Sequence, residues 1–132
     1  MLVSEFVDAF VYGNLKGEFS KPSLKTLKKN YERKVFFIPR IFCRDGFSIS
    51  LVANRYGYCG SENGVRTFGL HWELLEWGFP SEEIDAKKFN SEKEQTIDSV
   101  GGYVDVELID ELCEQHGGFD LKATLANDHP NE

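Results

Sequence analysis

Hydrophobic residues recur at helical spacing near the start of the chain. Leu2, Phe6 and Phe10 lie four apart, with Val3, Val7 and Val11 beside them, so residues 2–12 predict a short helix ended by Gly13 and Asn14. A second helix is expected to open at Ser20-Lys21-Pro22, where proline suits the first turn, and to run to about Lys34. Leu24, Leu27 and Tyr31 line its apolar face, and Lys25, Lys28, Lys29 and Arg33 cover the rest.

The pattern then changes to alternation. Val35 to Cys43 is β-branched and aromatic, but Pro39 has no N–H to give, which confines the segment to a sheet edge or to two short pieces. Asp45-Gly46 predicts a hairpin turn. Phe47, Ile49 and Leu51 alternate with Ser48 and Ser50, the mark of a half-buried strand over 47–53, with room to extend through Tyr56 and Tyr58. Val65 to Trp77 reads as a second extended stretch with Phe68, Leu70, Trp72 and Leu74 on one parity. A β-hairpin turning around residues 60–64 is the expected connection, and Gly78 and Pro80 end the second strand.

Ser81-Glu82-Glu83 has the character of a helix start, with carboxylates near the positive end of the dipole, and a short helix is expected there. Residues 90–99 are polar and read as a loop; Tyr103 and Val104 read as a short strand. Asp105 then caps the clearest helix in the chain. Val106, Ile109, Leu112, Cys113 and His116 share one face of it; Glu107, Asp110, Glu111 and Glu114 share the other. Gly117-Gly118 supplies the left-handed stop, Phe119 can fold back onto the last turn, and residues 120–132 are expected to form a tail. The sum is an α+β fold: an antiparallel sheet of three to five strands with helices on one face. At 132 residues the chain suits a single domain, 1–132, with a helical, basic N-terminal extension (1–46), an α+β core (47–119) and the tail.

Composition changes this picture in two ways. Eleven Phe, five Tyr and two Trp are many, and the large area each buries suits either a small core or a partner interface. Charge is also uneven. Residues 21–44 carry eight basic residues against one acid, and residues 73–132 carry sixteen acids against four lysines, within a net charge of −7. The two regions either form opposed faces or attract each other. Acids Glu5 and Asp8 and the lack of a basic opening argue against a signal peptide, and no stretch approaches the ~20 apolar residues of a membrane span, so a cytoplasmic protein is expected. Three cysteines at irregular spacing suggest buried thiols in a reducing compartment.

Several short motifs fall in a fixed order: Phe47-Ser48-Ile49-Ser50, Tyr56-Gly57-Tyr58-Cys59, Trp72-Glu73, Gly78-Phe79-Pro80-Ser81, Gly102-Tyr103-Val104-Asp105-Val106-Glu107 and His116-Gly117-Gly118. Over roughly residues 47–119 the chain resembles a group of small accessory proteins of phage and prophage genomes. It departs from them at Gly57, where the group often has His, at Cys59-Gly60-Ser61, and at Asp105, where Pro is usual. Residues 1–46 have no counterpart there. The resemblance rests on turns and caps; it implies a viral accessory product and no particular chemistry.

Candidate chemistry is sparse. Cys113 and His116 lie three apart on a helix, and Cys59 and His71 could approach across the sheet, but the spacing is not that of a zinc site. A Cys/His nucleophile drawn from the same residues would need a thiolate, which the acids around Cys113 disfavour. Glu82, Glu83, Asp85, Asp110, Glu111 and Glu114 read as solvated faces. Gly57, Gly60 and Gly64 match no phosphate-loop or dinucleotide pattern. No metal, cofactor or catalytic residue is expected, and the chain reads as a non-enzyme.

Binding is the better-supported class. Trp72 and Trp77 fall on opposite parities of one strand, so two placements stand open: one of them faces outward and, beside Arg66, marks a partner surface, or it is buried under a helix. The acids Glu107, Asp110, Glu111 and Glu114 could imitate phosphates in the nucleic-acid channel of a bacterial protein or ribonucleoprotein complex, the action of an anti-CRISPR-like inhibitor of host defence. Two alternatives stand beside it. One is a nucleic-acid-associated protein using Lys25, Lys28, Lys29 and Arg33; the other is a virion or assembly component.

Overall fold

The computed structural model describes residues 1–12, 38–53, 57–60 and 72–127. Helix α1 (Val3–Tyr12) forms where the four-residue period predicts it and buries Val3, Phe6 and Val7. Among the described residues four antiparallel strands follow: β1 (Ile41–Phe42), β2 (Ser48–Val52), β3 (Leu74–Gly78) and β4 (Val100–Asp105), adjacent in chain order. Helix α2 (Val106–Gln115) leaves β4 directly, and a short α3 (Leu121–Ala126) closes the described chain. The expected α+β architecture is the observed one. The helix expected over 20–34 and the turn expected at 60–64 lie outside the described residues, apart from Gly60.

Each joint has a local cause. The β1–β2 hairpin turns at Asp45-Gly46, as predicted, through a three-residue loop: Cys43 N–H donates to the Phe47 carbonyl at 2.8 Å, and Gly46 sits at φ +95°. The Asp45 carboxylate accepts the Phe47 N–H at 2.8 Å and tightens the turn. Asp105 caps α2 by accepting the Glu107 N–H at 2.9 Å. At the far end Gly118 N–H bonds the Cys113 carbonyl and Gly117 N–H the Glu114 carbonyl, with both glycines left-handed, a Schellman stop.

Buried side chains of α1, β1 to β4 and α2 form one core, with Phe6, Ile41, Phe47, Ile49, Leu75, Trp77, Val104 and Ile109 fully enclosed. Full burial of one such side chain contributes roughly 1.5–3 kcal/mol. Polar ties hold the helices in place. The Asp110 carboxylate accepts the Ser4 N–H at 3.0 Å, so a residue of α2 satisfies an open donor at the start of α1. Asp8 of α1 accepts the Trp72 N–H at 3.0 Å.

Four local expectations are corrected. Strand β4 spans six residues, not the two at Tyr103 and Val104, because it pairs with β3 from Gly78 back to Leu74. Of the described residues of the second extended stretch, Trp72 and Glu73 lie outside a strand and β3 begins at Leu74, and β2 stops at Val52. Beyond the β2–β3 register Leu74 is bridged by Gly60, with hydrogen bonds of 2.9 Å in both directions. No helix starts at Ser81: residues 81–99 form successive turns. There the Ser81 hydroxyl accepts the Ser48 N–H, the Thr96 hydroxyl accepts the Ile84 N–H, and Glu83 accepts from both the amide and the hydroxyl of Thr96. These cross-links use the groups a helix start would need. Finally, the expected tail contains α3. Asp120 caps it, its buried Thr124 hydroxyl accepts the Phe42 N–H at 3.0 Å, and Asp120 N–H bonds the Phe42 carbonyl at 2.9 Å. This closes the β1 edge, which would otherwise be open to another strand.

Candidate functional site

The residues singled out for partner contact divide sharply. Trp72 and Trp77 are both buried, so of the two placements left open by the sequence the outward one is excluded and neither tryptophan marks a partner surface. The parity argument assumed a single straight strand, but Trp72 precedes β3 and packs beside α1, while Trp77 lies within β3 and is roofed by the turns of 81–99. The Trp77 indole donates to the Phe89 carbonyl at 2.6 Å; the Trp72 indole nitrogen, also buried, has no acceptor among the described residues. Arg66 and the basic set Lys25, Lys28, Lys29 and Arg33 lie outside the described residues.

Of the acidic set on α2, Glu107, Glu111 and Glu114 are exposed, and they recur at helical spacing along one side. Asp110 is half-buried and committed to the α1 cap, so the face is three carboxylates and not four. Glu111 also faces Lys88 at 3.8 Å, an exposed pair of little energetic weight. The acidity extends well beyond α2: residues 72–127 contain fourteen carboxylates and four lysines.

The cysteines are three buried thiols, none in a disulfide. Cys43, beyond the end of β1, and Cys113, on α2, are neighbours whose titrations influence each other. The Cys113 thiol is pushed far up by Cys43, by burial and by nearby Asp110 and Glu114, so it is no nucleophile. Cys43 is drawn below the ordinary thiol value by the neighbouring Cys113, against the opposing push of burial and of Asp45, Asp120 and Glu114. His116 is drawn elsewhere. Its ring stacks on Phe47 at 4.1 Å, and its Nδ1 lies 2.7 Å from the Asp45 carboxylate. His116 is thus engaged by Asp45 and Phe47, and among the described residues no group of three or more ligand-type side chains converges. His71 lies outside them.

A surface that the sequence reading missed lies along β4. Its exposed positions are Val100, Tyr103 and Asp105, while Gly101 and Val104 turn inward. The spacing is irregular because β4 carries an extra residue: Leu75 pairs with Val104 but Trp77 with Gly101. The bulge holds Tyr103 at φ +52°. Tyr58 lies alongside, its carbonyl accepting the Tyr103 N–H at 2.8 Å and its ring 5.9 Å from that of Tyr103. A Cβ on Gly102 would fall 2.6 Å from the Tyr58 Cβ, so the glycine makes room for that ring. At the other end Phe79, at φ +51°, hydrogen-bonds Ser99 next to Val100, which covers side-chain-free Gly78.

Left-handed backbone at two aromatic residues costs of order 1–3 kcal/mol each and is kept only where neighbours enforce it. For Phe79 the enforcer is Arg40. Its guanidinium bonds the Ser48 and Ser50 hydroxyls at 2.8 and 3.1 Å and the Phe79 carbonyl at 2.5 Å. Burial draws Arg40 below the ordinary arginine value, yet it remains a cation. For Tyr103 the enforcers are Tyr58 and Asn90, whose amide donates to the Gly102 and Tyr103 carbonyls at 3.3 and 3.2 Å. The signals in the sequence were Gly101-Gly102 before Tyr103 and Gly78 before Phe79, which mark close backbone approach as much as turns.

No known family, no curated protein and no solved structure matches the chain. Among the described residues no helix is long and apolar enough to cross a membrane.

Proposed function

We propose that this protein is a non-enzymatic binding protein of the phage accessory type. It acts in the host cytoplasm by occupying a basic site on a bacterial protein or ribonucleoprotein complex, in the manner of an anti-CRISPR inhibitor. The observation that carries the reading is the acidic exterior. All fourteen carboxylates of residues 72–127 reach solvent at least in part, and Glu107, Glu111 and Glu114 line one side of a well-capped helix. A field of one sign steers a partner of the opposite sign and blocks a surface built for phosphates. The resemblance of its motif order to phage accessory proteins points to the same class.

The test is an affinity capture of the tagged full chain from bacterial lysate, with and without nuclease, followed by capture with the triple variant Glu107→Lys, Glu111→Lys, Glu114→Lys. A stoichiometric protein partner that survives nuclease and is lost with the triple variant is the expected result. Recovery of nucleic acid alone, with every protein lost on nuclease treatment, would overturn it in favour of the basic segment of residues 21–44.

A further inference from the structure

The β4 surface joins features that seldom coincide on an acidic exterior. Four large apolar side chains follow one another along it: Phe79 (52% exposed), Val100 (56%), Tyr103 (45%) and Tyr58 (61%). Hydrogen bonds order this row at both ends, from Arg40 to the Phe79 carbonyl and from Asn90 and Tyr58 to the backbone at Gly102 and Tyr103. A row of pre-positioned aromatic side chains loses little freedom on binding, which suits a docking site. Exposed carboxylates accompany the row: Asp98 precedes it, and Asp105 and Glu107 continue it. Lys88, near its α2 side, already faces Glu111.

We propose that this strip is the docking site for an arginine-rich segment of the protein partner. The inference rests on the reading of the chain as a binding protein and adds where and what it binds. Guanidinium groups stack on tyrosine faces and fork onto carboxylates, and the strip offers both within one strand and the helix start that follows it. Lysine has the charge without the planar face. A second copy of this chain is a poor occupant, since it would set one acidic rim against another on a protein of net charge −7. Strand addition is also opposed, because Tyr58 and Asn90 already bond the outer edge of β4 at Gly102 and Tyr103. The same carboxylates repel nucleic acid and anionic lipid.

The probes are nona-arginine and nona-lysine peptides, titrated into the full chain at low salt and read by amide chemical shifts. The strip predicts shifts concentrated at Tyr58, Val100, Tyr103, Asp105 and Glu107, with tighter binding of the arginine peptide. Tyr103→Gly removes one ring and suits the φ of +52°, so it keeps the fold, as an unchanged melting temperature would verify. It should weaken the arginine peptide roughly two- to fivefold while leaving the lysine peptide nearly unchanged. Equal affinity for the two peptides, shifts centred on residues 81–94 or on Glu114, or a Tyr103→Gly variant that binds like the parent would each overturn the proposal. Lysate capture separates the two levels. A Tyr103→Gly protein that still retains its protein partner in full sinks the strip alone; a parent chain that retains no protein partner sinks the binding-protein reading.

Discussion

Trp77 donates its indole N–H to the Phe89 carbonyl at 2.6 Å, directly over Gly101. A Cβ at position 101 would lie 2.4 Å from the indole nitrogen and 2.5 Å from the Phe89 oxygen. Neither neighbour can yield, because the ring is buried and the oxygen belongs to the backbone. Gly101→Ala is therefore expected to destabilise the protein by about 1–3 kcal/mol, with urea unfolding as the measurement. Gly46→Ala makes a useful contrast: nothing lies within 4 Å of its Cβ, and any cost comes from φ alone.

Thr124 and Phe42 provide a test of the β1 edge. Thr124→Val keeps the shape of the side chain but leaves the Phe42 N–H without its acceptor. The expected loss is about 1–3 kcal/mol. Hydrogen exchange at the Phe42 amide should quicken in Thr124→Val and stay near the parent rate in Thr124→Ser.

Acid should act at the β1–β2 turn. Asp45 is held below the usual carboxylate range, first by the Phe47 N–H and then by the His116 contact. Its folded value is depressed, so the stability it brings is present above the unfolded value of about 3.9 and is lost as pH falls through the folded value. Glu83 follows the same sign through its bonds to Thr96. Asp45→Asn should flatten the acid side of the stability–pH curve, measured by thermal melts between pH 2 and about 6.

Thiol chemistry offers a probe of core integrity. Cys43, Cys59 and Cys113 are all at most 2% exposed. In the native protein a disulfide reagent is expected to react only as fast as the core opens, and in denaturant all three thiols should react at once. Immediate reaction of one thiol in the folded protein would contradict the buried placement.

What local order determined was legible. The four-residue spacing of Leu2, Phe6 and Phe10 marked α1, Asp45-Gly46 marked a hairpin, and Asp105 and Gly117-Gly118 marked both ends of α2. Each of these signals acts within a few residues, through a cap, a turn or a helical face, so it survives without knowledge of the rest of the chain. The acidic balance was equally plain.

What tertiary structure decided was which groups meet. Parity left an outward tryptophan open, but both are buried, Trp77 beneath the turns of 81–99; no local pattern encodes a cover that arrives from elsewhere in the chain. Ser81 and Glu83 carried a helix-start signal and were taken by Ser48 and Thr96. Asp110 counted as a surface acid until the start of α1 claimed it. The aromatic strip escaped notice for the same reason. Tyr58, Phe79, Val100 and Tyr103 share no periodicity; their exposure depends on the bulge in β4 and on the Arg40 clamp, which hold Tyr103 and Phe79 on left-handed backbone. Sequence fixes conformations over a turn or two, whereas burial and exposure depend on contacts between distant residues, and those exist only once the chain has folded.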